Sequence, residues 1–363
     1  MLKILICANS YPPQHGGIAT YASQLALHFS KTNINITVLA PHFPDQQEPE
    51  PIANYKIVRF TSKLDLYKKW LSEVVKTDLI FIVQRGNFLS LAFYTNKIIH
   101  KPYVLALHGR EEQSKKLNKI ITKINAAAAV TPVSSYTANY FKQLGVTPSL
   151  IHVINNGTAP IKQNSPNIRK KYHLENKLII LTVARLIKHK GQDHLLKAFP
   201  LIKKEVPNAH YLIVGSGPDK DYLKDLAFRK LNLKENVTFT GAVSNEDIAN
   251  CYHECDLFAM ISRQYKNNIE GFGISFLEAG YAEKAVVGGN SGGIPDAIEN
   301  NKTGILVDPN DLNNIASAVI ELLQNQQKRD QYGKDGKKRV LNNFTWDIIA
   351  KRYAFLFKDI LNR

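Results

Sequence analysis

Two carboxylates eight positions apart around a pair of glycines, Glu270 and Glu278 in NIEGFGISFLEAG, are the residues whose types and spacing come nearest to a binding site. Gly271 and Gly273 relax the backbone just where residues 274–279 can begin a helix. That places Glu270 in the loop before the helix and Glu278 within its first turns. A glycine loop feeding a helix start presents unpaired N–H groups and a positive dipole end, which suits a phosphate. A carboxylate on the helix can take two ribose hydroxyls, and one on the loop can meet a group beyond the phosphates. The pattern fits a nucleotide joined through a diphosphate to something polar. On spacing alone, a capped helix with two solvated acids fits equally well.

Other candidates follow apolar strand patterns, where ligands of doubly wound sheets gather at the carboxyl ends of the strands. Gly16 and Gly17 come one loop after the first strand pattern and allow close backbone approach to a phosphate, or make an ordinary turn. His108 directly follows the apolar run 103–107; it can hydrogen-bond a sugar and steady developing charge, or be a hydrogen-bonded structural histidine. Arg185 follows the run 178–183, and Lys190 precedes Gly191 at a helix start. Both can stabilise a departing diphosphate without a metal. Lys188 is as basic, and spacing does not separate it from Lys190. Asp219-Lys220-Asp221 has the form of a metal-binding D-x-D, but it follows GSGP at a helix start, where acids offset the dipole.

The elements that must position these groups alternate. Strand patterns fall at 3–7, 36–40, 57–60, 79–82, 103–107, 129–133 and 151–154, then at 178–183, 211–214, 237–240, 256–260, 285–288 and 304–307, with helical patterns between. Such alternation predicts parallel sheets covered on both faces. The polar stretch 158–167, with two prolines and no apolar periodicity, marks a boundary. The predicted organisation is residues 1–163, residues 164–345, and a tail 346–363 whose helical stripe runs through Trp346, Ile349, Tyr353 and Phe357.

A chain of 363 residues is comfortable for two domains, and no apolar run approaches the ~20 residues that span a bilayer. The N-terminus reads as a strand and turn, not as a signal peptide. Three cysteines are too few for a disulfide scaffold. Cys251 and Cys255 flank His253 with a spacing that resembles a metal cluster, yet a third and fourth ligand are not evident. The net charge is +16, and residues 1–160 hold 17 basic against 8 acidic residues, the denser surplus per residue. Nucleic acid, anionic lipid and a phosphorylated substrate all suit such a surface. Two basic amphipathic stretches belong to this half. Residues 63–76 align Leu66, Trp70 and Val74; residues 114–124 set Leu117, Ile120, Ile121 and Ile124 against Lys115, Lys116, Lys119 and Lys123. Either stripe can lie on an anionic membrane or pack on a sheet, and packing is the commoner use.

The motif series resembles the family 4 retaining glycosyltransferases nearly end to end. GGIATY (16–21), LHGRE (107–111), INNGT (154–158), TVARLIKHKGQDHLLKAF (182–199), LIVGSGP (212–218), VTFTGAVSNEDI (237–248), the E-x7-E segment, SGGIPDAI (291–298) and TGILVDPND (303–311) occur in the family's order. The style is closest to mannosyltransferases acting on phosphatidylinositol lipids. AGYAEKAVVGG (279–289) departs from the pattern, since Glu283 and Lys284 replace a small Gly-Xaa-Pro turn. The resemblance implies an α/β GT-B architecture, two Rossmann-like doubly wound domains facing a central cleft, with the tail helix crossing back to the first domain. It implies retaining transfer of a hexose, mannose or glucose type, from a GDP- or UDP-linked donor to a lipid-linked or glycan acceptor hydroxyl. Glu270 would contact the donor sugar, Glu278 the ribose, Arg185 and Lys190 the diphosphate, and His108 the sugar site. Gly16, Gly17, Gly215, Gly241, Phe272, Gly273 and Ile274 would line the donor. No cofactor, metal or nucleic acid is implied, and the expected location is cytoplasmic, with peripheral attachment to the inner face of the plasma membrane as an extension of the basic surplus. A soluble-acceptor transferase, a sugar phosphorylase or epimerase on the same fold, and a non-catalytic basic nucleic-acid or membrane-binding protein are the alternatives. The last accounts for the charge but not for the ordered Gly, Arg, Lys and Glu series.

Overall fold

The computed structural model describes residues 1–14, 16–44, 55–109, 117–163 and 167–363. Arg110, Glu111, Lys115 and Lys116 lie outside the described residues, as do residues 164–166 of the polar boundary.

β-branched and aliphatic runs form β1 (Leu2–Cys7), β2 (Ile34–Pro41), β3 (Lys56–Phe60), β4 (Leu79–Ile82), β5 (Tyr103–Leu107) and β6 (Ala129–Pro132). Between them run α1 (Gly17–Ser30), α2 (Lys63–Val74), α3 (Asn87–Ile99) and α4 (Leu117–Asn125), and α5 (Ser135–Gln143) follows β6. All pairings are parallel in the order β3-β2-β1-β4-β5-β6. The chain therefore reverses its direction of winding between β1 and β4. The expected seventh strand, 151–154, is not a strand. Ile151 makes one isolated parallel bridge to Val130, and His152 and Ile154 bond only the near edge of β6, through the carbonyls of Val130 and Pro132. One bridge is too short a pairing to make a strand.

The second unit repeats the plan. A short α6 (Ile168–Lys171) leads into β7 (Leu178–Val183), α7 (Gln192–Glu205), β8 (Ala209–Val214), α8 (Lys220–Asp225), β9 (Val237–Gly241), α9 (Asn245–Glu254), β10 (Leu257–Met260), α10 (Ile274–Tyr281) and β11 (Val286–Gly289). It ends with α11 (Ile294–Ala297), β12 (Gly304–Val307), α12 (Leu312–Gln324) and α13 (Gln326–Asn343). Its strands lie parallel in the order β12-β11-β10-β7-β8-β9, so the winding switches between β7 and β10. Central strands such as β8 are buried along their whole length, which is why they read as unbroken apolar runs.

The division of the chain falls between Gly157 and Thr158, six residues before the 163/164 boundary taken from the sequence. The reason is local: the Thr158 N–H donates to the Phe344 carbonyl at 2.7 Å, and Thr158 pairs with Thr345 in a parallel bridge. The first unit is completed by α14 (Trp346–Asn362). Its stripe Trp346, Ile349, Tyr353 and Phe357 is buried in one cluster with Phe29 and Phe81. Each such side chain contributes about 1.5–3 kcal/mol by burial.

Both basic amphipathic stretches pack their predicted stripes. Leu66, Trp70 and Val74 are buried, as are Ile121 and Ile124, with Leu117 and Ile120 against them. A second stripe on α2 was not anticipated: Leu64 (65% exposed), Tyr67, Leu71 (66%) and the following Val75 face outward. The Trp70 indole N–H donates to the Thr95 hydroxyl at 3.0 Å, tying α2 to α3, which exposes Tyr94, Ile98 (76%) and Ile99. Among the described residues no helix is long and apolar enough to cross a membrane.

Candidate functional site

The groups singled out in the second unit collect at the carboxyl ends of β7 and β10, the winding switch, where parallel sheets leave a crevice for ligands. Beyond β7 the chain passes Arg185, buries Leu186, and makes a tight turn over Lys188–Lys190 that ends at Gly191. Gly191 has φ +75°, and a Cβ there would lie 1.7 Å from the Ile261 carbonyl oxygen at the end of β10. No side chain fits, so this turn can lie directly on β10. The turn separates the two lysines that spacing left equivalent. Lys190 forms an ion pair with Glu270, both side chains mostly buried, whereas the Lys188 ammonium sits 2.9 Å from the centre of the Tyr222 ring. Arg185 is exposed; its backbone carbonyl accepts from the Gln192 side-chain amide at 3.2 Å.

Glu270 is held from behind by the loop after β11. The Gly293 N–H donates to the Glu270 carbonyl at 2.9 Å, and Gly292 (φ +59°) would put a Cβ 2.3 Å from that oxygen. The segment SGG therefore serves as a close-packed support for the acidic loop. Phe272 is buried, its ring 5.8 Å from that of Phe344, so only its backbone is available to a ligand. Gly273 is the N-cap of α10, and no side chain caps that start among the described residues. The first N–H groups of the helix, beginning at Ile274, thus remain open for an anion. The Ser275 hydroxyl donates to the Val183 carbonyl at 3.1 Å and binds the helix start to the end of β7.

Glu278, one turn further, accepts a 2.6 Å hydrogen bond from the Tyr252 hydroxyl on its Oε2. Burial lifts its pKa above the ordinary carboxylate value, and the Tyr252 hydrogen bond opposes that rise. Gly215 packs beside the Ala184 carbonyl next to Arg185, and its N–H donates to the Gly241 carbonyl at 2.9 Å. Gly241 itself ends the edge strand β9 in open space.

In the first unit, Gly16 and Gly17 are exposed at the start of α1, which no side chain caps among the described residues. His108 follows β5. Its Nε2 lies 2.8 Å from the Val83 carbonyl, so that nitrogen carries the proton and donates; the ring meets Tyr21 edge-on at 4.7 Å. Burial depresses its pKa to about 4, opposed by the bond to Val83. The imidazole is neutral near pH 7 and has only Nδ1 to offer, as an acceptor. It can receive a hydroxyl hydrogen bond, and a neutral ring does not oppose positive charge that develops at a reacting sugar carbon.

Three residues with a part in the site carried no signal. Asp193 and Arg263 form a buried bidentate pair with both bonds at 2.9 Å, 70 residues apart in sequence. The Arg263 N–H also donates to the His189 carbonyl at 2.9 Å, inside the turn that carries Lys190. Tyr252 lies within the NCYHECD segment that resembles a metal cluster. There Cys251 and Cys255 are buried, burial pushes both thiols up to about 12, and His253 bonds the Ile161 carbonyl. Thiols so hard to ionise are poor metal ligands. Among the described residues no three His, Cys, Asp or Glu side chains gather as a metal site. Asp219 does stand at the N-cap of α8, with Asp221 in its first turn, but the Asp219 side chain makes no cap bond.

Known proteins resemble this chain over nearly its whole length. A family model described as glycosyl transferases group 1 matches residues 164–339, and one described as Glycosyltransferase Family 4 matches residues 15–160. The GDP-mannose-dependent alpha-(1-6)-phosphatidylinositol monomannoside mannosyltransferase of Mycobacterium tuberculosis is 31% identical over 98% of this chain and 97% of its own. The Corynebacterium glutamicum mannosyltransferase for monoacylated alpha-(1-6)-phosphatidylinositol monomannoside is 28% identical over 98% of each. Among solved structures, Anabaena HepE in complex with UDP superposes with a TM-score of 0.82 at 21% identity, covering 99% of this chain and 100% of its own. Sucrose-phosphate synthase from Thermosynechococcus elongatus gives 0.80 at 20% identity, with full coverage of both chains. The fold is GT-B.

Proposed function

The chain belongs to the family 4 glycosyltransferases, enzymes that transfer a sugar from a nucleotide sugar, and we propose that it moves a hexose from GDP-mannose, with retention, to a hydroxyl of a lipid-linked acceptor. The observation that carries the donor half is the Lys190–Glu270 pair beside the uncapped start of α10, at the winding switch of the second unit. In this reading the open N–H groups at Gly273 and Ile274 take the diphosphate together with Arg185 and Lys190. Glu270 meets the sugar, and Glu278 takes the ribose hydroxyls. Gly16, Gly17 and His108 belong to the other unit, and their assignment to the donor sugar and phosphates rests on the family motifs. Retention is assigned to a front-face path, in which the departing phosphate oxygen accepts the acceptor's proton. The test is a donor screen that scores nucleotide release from GDP-, UDP- and ADP-sugars. GDP-mannose should be turned over fastest, and a UDP-sugar preferred by tenfold or more would replace the mannose assignment.

Glu278→Ala should weaken nucleoside diphosphate binding by ~1.5–3 kcal/mol, the loss of a charged acceptor. The pH dependence has a definite sign. Two ribose hydroxyls donate more strongly to the ionised carboxyl, whose pKa is raised in the free protein, so binding favours release of a proton wherever that carboxyl is protonated. Affinity should fall as pH drops, starting above the ordinary value of 4.5, and this slope should vanish in Glu278→Ala. Calorimetry at several pH values measures both, and an unchanged affinity removes Glu278 from the site.

Arg185 and Lys190 supply the charge that a divalent ion provides in other transferases. Turnover is therefore expected to survive EDTA; loss restored by Mg²⁺ or Mn²⁺ would overturn the metal-free reading.

The outward faces of α2 and α3 support a membrane-proximal acceptor. Leu64 and Leu71 on α2 and Ile98 on α3 are exposed, as are Lys63, Lys68 and Lys97 on the same helices, a composition that suits shallow insertion into an anionic leaflet. Each lysine near such a surface contributes about 1 kcal/mol. Sedimentation with phosphatidylglycerol vesicles should fade as salt rises. The double variant Leu64→Ser/Leu71→Ser should reduce it at least tenfold without changing nucleotide affinity. Wild-type protein left in the supernatant at low salt would favour a soluble acceptor.

A further inference from the structure

The loop after β4 borders an open cavity of about 440 Å³ lined by Gln84, Arg85, Gly86, Leu89, Ser90, Ile120 and Lys123. We propose that this cavity is a phosphate subsite for the acceptor, a reading that rests on the acceptor-using transferase proposed above and places the acceptor's charged group.

The position is one where a doubly wound sheet holds ligands. β4 is the strand at which the winding of the first unit switches, and the cavity opens at its carboxyl end. The loop is fixed in place: the Asn9 side-chain amide donates to the Arg85 carbonyl at 2.7 Å, and the Val83 N–H donates to the Cys7 carbonyl at 3.0 Å. The Val83 carbonyl receives His108, so the cavity adjoins the residue assigned to the sugar.

Its charge balance points to an anion. The Lys123 ammonium is half-buried and donates to the Ser90 hydroxyl at 2.7 Å; among the described residues it also lies near the ring faces of Phe93 at 6.0 Å and Tyr94 at 5.7 Å. None of these carries negative charge. Among the described residues no carboxylate pairs with Lys123 and none lines the cavity. A partly desolvated cation beside a hydroxyl and aromatic faces is stabilised by an incoming anion more than a solvated surface lysine is. Arg85 lines the same space and adds a second positive charge to it. Leu89 and Ile120 give the cavity an apolar wall, and the volume leaves room beyond a phosphate for a ring-sized polyol. The class of acceptor this selects is a phosphate mono- or diester that bears hydroxyls, rather than a neutral sugar.

Calorimetric titration of the full chain with glycerol 3-phosphate, at fixed ionic strength, tests the assignment. Wild type should bind, Lys123→Gln should bind at least tenfold more weakly, and Lys123→Arg should recover most of the affinity. Ser90→Asp supplies the missing anion from within. It is expected to abolish glycerol 3-phosphate binding while keeping or raising the melting temperature, a combination that misfolding cannot imitate. Dihexanoyl phosphatidylglycerol, kept monomeric, separates the two sources of phosphate. Competition with glycerol 3-phosphate supports a lipid headgroup, and glycerol 3-phosphate binding without competition supports a free phosphorylated compound. Failure of glycerol 3-phosphate to bind wild type, or unchanged affinity in both Lys123→Gln and Ser90→Asp, overturns the subsite. GDP and UDP titrations on the same samples report on the second unit alone. Their success beside a failed phosphate titration sinks only this subsite, whereas their failure sinks the donor assignment.

Discussion

Lys190→Ala is expected to lower kcat by ~10²–10³-fold, the usual consequence of removing one charge-stabilising group from a site where negative charge develops. Donor KM should change by less than ~10-fold, because the charge on the departing diphosphate grows between ground state and transition state. The structure adds a counter-experiment. Lys190 is already paired with Glu270 in the free protein, so the ammonium is partly neutralised until the donor arrives. Glu270→Gln should therefore leave nucleoside diphosphate affinity unchanged or tighter while sugar transfer collapses, the opposite split from Glu278→Ala. Lys188→Ala should do little, since its ammonium lies on the Tyr222 ring. Steady-state kinetics with the donor varied distinguishes these outcomes. If Lys190→Ala raises KM alone, Lys190 anchors the diphosphate and does not assist its departure.

The second large effect is on stability. Asp193→Ala leaves the Arg263 guanidinium buried without its partner, a change that costs about 3–5 kcal/mol. In a unit of this size each kcal/mol moves the melting temperature by about 2–4 °C, so a drop on the order of 10 °C is expected. The loss should also reach activity, since the Arg263 N–H braces the His189 carbonyl in the Lys190 turn. The double variant Asp193→Leu/Arg263→Met should recover much of the stability, because removing both charges leaves no unpaired ion. Calorimetric melting of the three variants checks this. A single variant as stable as wild type would mean that the pair makes no net contribution.

The sequence by itself determined the two parallel sheets, for a physical reason. Strands buried on both faces must be continuously apolar and helices between them must be amphipathic, so the alternation can be read directly, and β4, β5, β7 and β12 fall at the predicted residues. It also placed the candidate site residues near strand ends. In parallel sheets, loops at strand ends carry the ligand-facing residues, and Arg185, Lys190, Glu270 and Glu278 each follow or flank such an end. The 151–154 run differs from its expected strand because β-branched composition registers an extended chain, and this segment lies extended along the edge of β6 with a single bridge and only Ile154 buried.

What the tertiary structure alone decided are contacts between residues distant in sequence. Periodicity shows that Leu66, Trp70 and Val74 share one face of α2 and that Leu64, Tyr67 and Leu71 share another. Both are apolar, and only the sheet beneath determines which is covered. Spacing made Lys188 and Lys190 equivalent until a glycine turn lying on β10 sent one to Glu270 and the other to Tyr222. The Asp193–Arg263 and Tyr252–Glu278 pairs join separate helices and loops, so neither residue has a local partner to betray it. The neutrality of His108 follows from its burial, which outweighs the opposing bond to the Val83 carbonyl, and both depend on how β4 and β5 lie side by side. Local sequence fixes which residues can share a face or a loop, because that depends on backbone geometry within a few residues. Which charge meets which, and which face meets water, depends on packing across the sheet.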